Sequence, residues 1–262
     1  MDSISLQYPV IFVHGVHAHD RDGGTKFWGR IPKVLADRGV QVFLGNTDSW
    51  GGYESNAAIL KKTIESILLE TKKEKVNIIA HSKGGIDCRY LIWNYNFGDK
   101  IASLSTVCAP HHGSEISDLF DKQKIVHTGL SQKALIAYGK LCGDVNPNLL
   151  TVNHQLTTKN MEEFNKNVQM DSRVYYQSLY TTMKNARDDL VFYYTYLYIN
   201  KISGDNDGVV SEVSAQWGNN IRKIHNGISH AEILDYKRKN ISGINIPAIY
   251  VDIVNGLADM GF

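Results

Sequence analysis

Short apolar runs alternate with stretches of helical periodicity through the first hundred residues of the chain. Val10–Val13 is a compact apolar run of strand length, and Phe27–Arg38 reads as a helix ended by Gly39. Val40–Leu44 reads as a second strand. Asn56–Thr71 is an amphipathic helix whose inner face is Ile59, Leu60, Thr63, Ile64, Ile67 and Leu68. Val76, Ile78 and Ile79 form a further buried strand, helical spacing runs from Gly84 to Trp93, and Ile101–Cys108 is the next strand. This alternation predicts an α/β fold, a mostly parallel sheet with helices on both faces, and a site at the carboxyl ends of the strands. After Gly113 the pattern changes. Ser114–Val168 is helix-prone, with Gly, Asn and Pro interruptions, and Ile125, Val126, Leu130, Leu135, Ile136, Tyr138 and Leu141 lie among polar residues. That pattern suits helices that each cover an apolar cleft, so residues 114–168 are read as a helical cap or lid within a single domain spanning 1–262. A packed helical subdomain that never moves is the other reading. The sheet resumes at Val174–Leu179, and Leu190–Ile199, rich in Tyr, Phe and β-branched residues, reads as strand by propensity.

Composition narrows the classes. With 262 residues the chain can bury a sizeable core, and 43% hydrophobic with 21% charged residues is ordinary for a globular enzyme. A formal net charge of +1 gives no reason to expect nucleic acid. No charge-free apolar stretch approaches the ~18 residues of a membrane span, so no transmembrane segment is expected. The N-terminus lacks the basic and apolar regions of a signal peptide, which leaves a secreted or a cytoplasmic location as the expectation. Cys88, Cys108 and Cys142 have no metal-ligand spacing and are expected as small buried apolar residues.

The candidate chemistry lies at Val76–Gly85, Val-Asn-Ile-Ile-Ala-His-Ser-Lys-Gly-Gly. Ser82 falls at the corner between strand and helix. A nucleophile elbow needs small residues two before and two after the serine, where the two backbones pass closely, and Ala80 and Gly84 supply them. Upstream, Tyr8-Pro-Val-Ile-Phe-Val-His-Gly15 ends a strand at His-Gly, a place to turn sharply and offer a backbone N–H to an oxyanion. Downstream, Ser203–Val210 places Asp205 and Asp207 in a turn, and Gly227-Ile-Ser-His230 places a histidine in a loop. The order Ser, Asp, His is that of the α/β-hydrolase fold, whereas the chymotrypsin and subtilisin orders do not fit.

These segments, with Lys75–Ser82, Ala109-Pro-His-His-Gly-Ser-Glu-Ile-Ser-Asp-Leu119 and Asn206-Asp-Gly-Val-Val210, resemble the bacterial triacylglycerol lipases of Pseudomonas, Burkholderia and especially Proteus type. Three positions depart from that pattern: Val16 stands where Leu is usual, Lys83 where Gln or Met is usual, and Glu232 where Asp is usual. The resemblance implies Ser82 as nucleophile, His230 as base and Asp207 as orienting acid; Asp205, two residues earlier in the same turn, is the rival acid because either carboxylate could reach the imidazole if the loop were remodelled. Backbone N–H groups of Val16 and Lys83 would form the oxyanion hole. It also implies that Leu190–Ile199 is helix, against its strand propensity, and helix is the expectation adopted.

The remaining histidines read as supporting residues. His81 is expected beneath the elbow, His14 as orienting the oxyanion loop, and His111 and His112 as structural. His17, His19, Asp20 and Asp22 superficially resemble a metal site but equally suit a polar loop. The resembled lipases hold a structural calcium ion, whose matching ligands here would be Asp188, with Asp189 beside it, and Glu232; the other reading is a solvated Asp pair at a helix start. No organic cofactor is implied. The expected function is a serine carboxylic-ester hydrolase, a triacylglycerol lipase acting on ester or lipid substrate at a lipid–water interface. The alternatives are a short-chain esterase or thioesterase with the same triad, and a catalytically silent hydrolase-fold protein that binds lipid.

Overall fold

The computed structural model describes residues 3–16, 27–122, 129–141 and 143–262. Strands β1 (Val10–Val13), β2 (Val42–Leu44), β3 (Val76–His81), β4 (Ile101–Val107), β5 (Tyr175–Thr182) and β6 (Ile221–Asn226) form one sheet in the order β2-β1-β3-β4-β5-β6. Every neighbouring pair is parallel. Parallel strands need crossovers and so are covered on both faces. The period of two in β1 shows this: Val10 and Phe12 join Trp28, Ile31, Leu35 and Tyr250 on one side, while Ile11 and Val13 join Leu60, Ile64 and Leu91 on the other.

The first layer is built by α1 (Ile31–Ala36) and the last helix of the chain, the second by α2 (Tyr53–Thr71) and α3 (Lys83–Asn94). Helix α1 is shorter than the predicted Phe27–Arg38. Gly29 adopts a positive φ of 52°, and a Cβ there would lie 2.1 Å from the Asp235 carbonyl oxygen, so the chain turns before Ile31 and Pro32 open the helix.

Between β4 and β5 the chain inserts α4 (Glu115–Asp121), α5 (Gly129–Leu141), α6 (Leu149–Gln155) and α7 (Thr158–Asn167). Helix α7 buries Met161 and Phe164 against Ile86 of α3, and two carboxylates tie the segment before α6 to the loop after β2. Asp144 accepts from the N–H groups of Ser49 and Trp50 at 2.8 and 2.9 Å, and Asp48 accepts from those of Val145 and Asn146 at 2.9 and 2.8 Å. Of the expected lid residues, Ile125 and Val126 lie outside the described residues, as do His17, His19, Asp20, Asp22 and Cys142.

After β5 come α8 (Tyr193–Ser203), the short α9 (Glu212–Ala215), β6 and α10 (Ile246–Asp259). The helix expected across Leu190–Ile199 is present as a 3-10 turn, Leu190–Phe192, running into α8. Burial there recurs at Tyr196 and Ile199, three apart, and three-residue spacing is helical spacing. Among the described residues no helix is long and apolar enough to cross a membrane.

Candidate active site

The turn from β3 into α3 holds Ser82 at φ 53° and ψ −132°, a strained backbone that lifts its side chain out of the corner. Its N–H donates to the Val107 carbonyl of β4 at 2.9 Å. The glycines on either side of the corner are required by contact. A Cβ on Gly84 would lie 2.5 Å from the His14 carbonyl oxygen, and one on Gly15 would lie 2.7 Å from Ser82 Cβ. Strand β1 and the elbow therefore touch backbone to backbone, which brings the residues after Gly15 beside the serine.

His230 reaches the corner from the loop after β6. Its Nε2 lies 3.0 Å from Ser82 Oγ, and its Nδ1 lies 2.7 Å from Asp207 Oδ2. The other oxygen of Asp207 accepts from the N–H groups of Val209 and Val210 at 2.9 and 2.8 Å, so the turn itself holds the carboxylate in place. The His230 N–H donates to the Asp207 carbonyl at 2.8 Å, which fixes the histidine loop to the acid turn. Asp205 points elsewhere: its side chain is 64% exposed and pairs with Lys223 at 3.7 Å. All three grouped residues are buried.

The flanking histidines are buried scaffolding. His81 Nε2 lies 3.0 Å from the His230 carbonyl, and burial, with the unfavourable coupling of a second proton charge to the neighbouring imidazole, holds its pKa well below 6.5, so the neutral ring donates an N–H to that carbonyl. His14 has Nδ1 at 2.6 Å from the Gly15 carbonyl and Nε2 at 3.0 Å from that of Thr47, so it spans the oxyanion-loop candidate and the loop after β2. His111 stacks on Trp217 with Nε2 2.9 Å from Thr106 Oγ1 and Nδ1 3.2 Å from the Arg89 guanidinium. Burial and the Arg89 charge keep it neutral, well below 6.5. Arg89, which the sequence reading passed over, lies over the Trp217 ring at 3.8 Å and the Phe164 ring at 4.9 Å, joining α3 to the insertion. His112 Nε2 meets the Gln216 carbonyl at 3.0 Å.

Lys83 turns its side chain away from the serine, into a buried pair with Asp87 at 2.7 Å that Asn56 completes through a 2.8 Å bond to the same carboxylate. As first residue of α3, its backbone N–H has no carbonyl within the helix to meet. Val16 follows Gly15 in a turn. Cys88 and Cys108 are fully buried thiols.

Each of the expected calcium ligands is engaged by protein donors. Asp188 spends its carboxylate on the N–H groups of Lys184 and Asn185 at 2.6 and 3.3 Å and on the Asn185 amide at 3.0 Å. Its neighbour Asp189 is the buried one, and accepts from Ser229 Oγ at 2.7 Å. Glu232 accepts from the Ser229 N–H at 3.2 Å and from Lys237 Nζ at 2.7 Å.

A strand-to-helix serine at the carboxyl edge of a parallel sheet, with imidazole and carboxylate in line behind it, defines a lipase/esterase-type α/β hydrolase. Residues 9–183 match the palmitoyl protein thioesterase family, and the chain belongs to it. Several of its relatives are named triacylglycerol lipases. It is 31% identical to triacylglycerol lipase 2 of Saccharomyces cerevisiae over 225 residues, covering 82% of this chain and 64% of the yeast protein. It is 32% identical to the triacylglycerol lipase of Pseudomonas fragi over 117 residues, 45% of this chain and 39% of that one. The chain thus spans less than two thirds of these relatives. Among solved structures, the Staphylococcus hyicus lipase shares the fold with a TM-score of 0.77 at 16% identity, covering 100% of this chain and 98% of that one.

Proposed function

We propose that this protein is a serine carboxylic-ester hydrolase of the triacylglycerol lipase kind, working through Ser82, His230 and Asp207 and an acyl-enzyme. The observation that carries this reading is the continuous line from Ser82 Oγ through the His230 ring to Asp207, at 3.0 and 2.7 Å. Asp207 holds the tautomer with hydrogen on Nδ1, which leaves Nε2 free to take the serine proton as Oγ attacks the ester carbonyl. The oxyanion that forms meets the N–H groups of Val16 and Lys83, the second at the positive end of α3. The imidazolium returns the proton to the departing alcohol, and a water deprotonated by the same ring then cleaves the acyl-serine.

Exposed apolar side chains support a lipid substrate. Leu119 and Phe120 of α4, Leu190 and Val191 of the turn before α8, and Tyr194 and Leu197 of α8 are exposed, and α4 packs on α8. This surface and the insertion form the approach by which a fatty ester is received. The bonds of Asp48 and Asp144 and the Phe164 contact anchor the insertion around α6 and α7, and Asp118 of α4 accepts from the Thr158 N–H and hydroxyl of α7 at 2.9 and 2.8 Å, so the lid reading is confined to α5.

The family match favours one second reading, a thioesterase with the same acyl-enzyme and a thiol as leaving group. A panel of p-nitrophenyl esters from acetyl to palmitoyl, run beside a palmitoyl thioester, separates the two. The lipase reading expects kcat/KM to rise with ester chain length and to exceed that for the thioester. A preference for the thioester moves the assignment to thioesterase, and turnover of neither in a folded sample sinks both.

A further inference from the structure

We infer that Lys237 is a positioning residue for this site: its ammonium, set between the buried carboxylates of Asp189 and Glu232, fastens the Ser229–His230 loop where the lipase resemblance implied calcium. The inference rests on the reading of His230 as the base. Ser229, the residue before His230, is gripped from both sides. Asp189, at the head of the turn before α8, accepts from its hydroxyl at 2.7 Å, and Glu232 accepts from its backbone N–H at 3.2 Å. The Glu232 N–H in turn donates to Ser229 Oγ at 3.2 Å. The side chains of Asp189 and Glu232 are only 4% and 3% exposed, and two carboxylates so placed repel one another unless a cation stands between them. Lys237 Nζ supplies it, 2.7 Å from Glu232 Oε1 and 4.0 Å from Asp189 Oδ2.

The donor set does not fit calcium. That ion takes six to eight oxygens at about 2.3–2.6 Å. Here each of the four carboxylate oxygens already accepts a hydrogen: Asp189 Oδ1 from the Val191 N–H, Oδ2 from Ser229, Glu232 Oε2 from Ser229 and Oε1 from Lys237. Asp188, the other expected ligand, faces Lys184 and Asn185. An ammonium 2.7 Å from Glu232 also repels a dication on the same oxygen.

The test compares the wild type with Lys237→Met and Lys237→Arg, each stripped with EGTA and then given calcium chloride, by thermal midpoint, kcat and KM on a soluble ester. The wild-type midpoint should not move with EGTA or calcium. Lys237→Met should lose on the order of 10² in kcat, as expected when a general base is misplaced, with KM little changed, and Lys237→Arg should restore most of it. A wild-type midpoint that falls on chelation, or a Lys237→Met enzyme with the kcat of the wild type, overturns the inference. So does an equal loss in the Arg and Met variants. Should Lys237→Met not fold, the wild-type calcium titration decides alone. A wild type that turns over no ester would instead fail the hydrolase reading, while the midpoints would still decide whether Lys237 or calcium closes this pair.

Discussion

Asp205 and Asp207 stand two residues apart in one turn, yet only one can serve the imidazole. Asp207 has both oxygens committed, one to the turn's own N–H groups and one to His230, whereas Asp205 faces solvent and Lys223. Asp207→Asn should therefore lower kcat by about 10²–10⁴ while the fold survives, because the amide no longer holds the productive tautomer. Asp205→Asn, which loses only an exposed pairing, should leave kcat within about twofold of the wild type, in keeping with the small worth of surface ion pairs. Steady-state kinetics on a soluble ester checks both, and a larger loss at Asp205 would reverse the assignment. At this scale much of the grouping was legible: the Ser, Asp, His order and the small residues flanking Ser82 required no coordinates. Less visible was which of Asp188 and Asp189 turns inward, because neighbouring residues at a turn face different ways and only the Ser229 hydroxyl distinguishes them. Lys237 escaped notice for the same reason, being one more charged residue in Asp235-Tyr-Lys-Arg-Lys239 until the fold sets it against Glu232.

At the scale of elements, one chemical change should have opposite signs at two glycines. Gly84→Ala places a methyl 2.5 Å from the His14 carbonyl and 2.8 Å from that of Val13, backbone atoms at the end of β1 that cannot yield without moving that strand. It should cost about 1–3 kcal/mol, as overpacking does, and lower kcat as well. Gly256→Ala meets nothing within 4 Å on α10, and should stabilise by roughly 0.5–1 kcal/mol through helix propensity and a less free unfolded chain. Urea titrations of the two variants check the pair, and equal effects would contradict the close approach of β1 to the elbow. The strands β1, β3 and β4 were legible because, apart from Asn77 and His81 in β3, their residues are apolar or small, as full burial on two faces favours. Strand β6 was not: Ile221–Asn226 lies at the sheet edge, and with Arg222, Lys223 and Asn226 exposed it carries neither alternation nor an apolar run. At Leu190–Ile199 propensity alone pointed to strand, because the segment is rich in β-branched and aromatic residues, while the helix expected from the resemblance is the one present, with Tyr196 and Ile199 buried three apart.

For the whole molecule, two buried imidazoles set a pH dependence. His81 and His111 stay neutral in the fold, chiefly because burial disfavours their charged forms, with pKa values well below 6.5. The unfolded chain takes up those protons near pH 6.5, so it binds more protons than the fold below that value and stability must fall as pH drops. The loss should approach about 1.4 kcal/mol per histidine for each unit below 6.5. Chemical denaturation at pH 6.5 and 5.5 measures it. His111→Asn should remove roughly half of this slope, and a slope unchanged by the substitution would assign the effect to other groups. The insertion contributes a second global property. With exposed Leu119, Phe120, Val191 and Tyr194 near α4 and α8, uncovering further apolar surface in water costs free energy that a lipid surface offsets. Activity on an emulsified long-chain ester should then rise more steeply above the substrate's solubility limit than below it. Simple saturation across that limit would favour an esterase whose insertion does not move.

The proposed chemistry depends on Ser82 being the nucleophile, and one reaction tests that directly. A fluorophosphonate transfers a phosphonyl group to an activated serine hydroxyl, with fluoride leaving, and requires both the base and the oxyanion donors to be in place. Intact-mass measurement of the treated wild type should show one adduct, peptide mapping should locate it on Ser82, and Ser82→Ala should remain folded but take no label. An adduct on any other residue, or a folded wild type that takes none, would contradict the account.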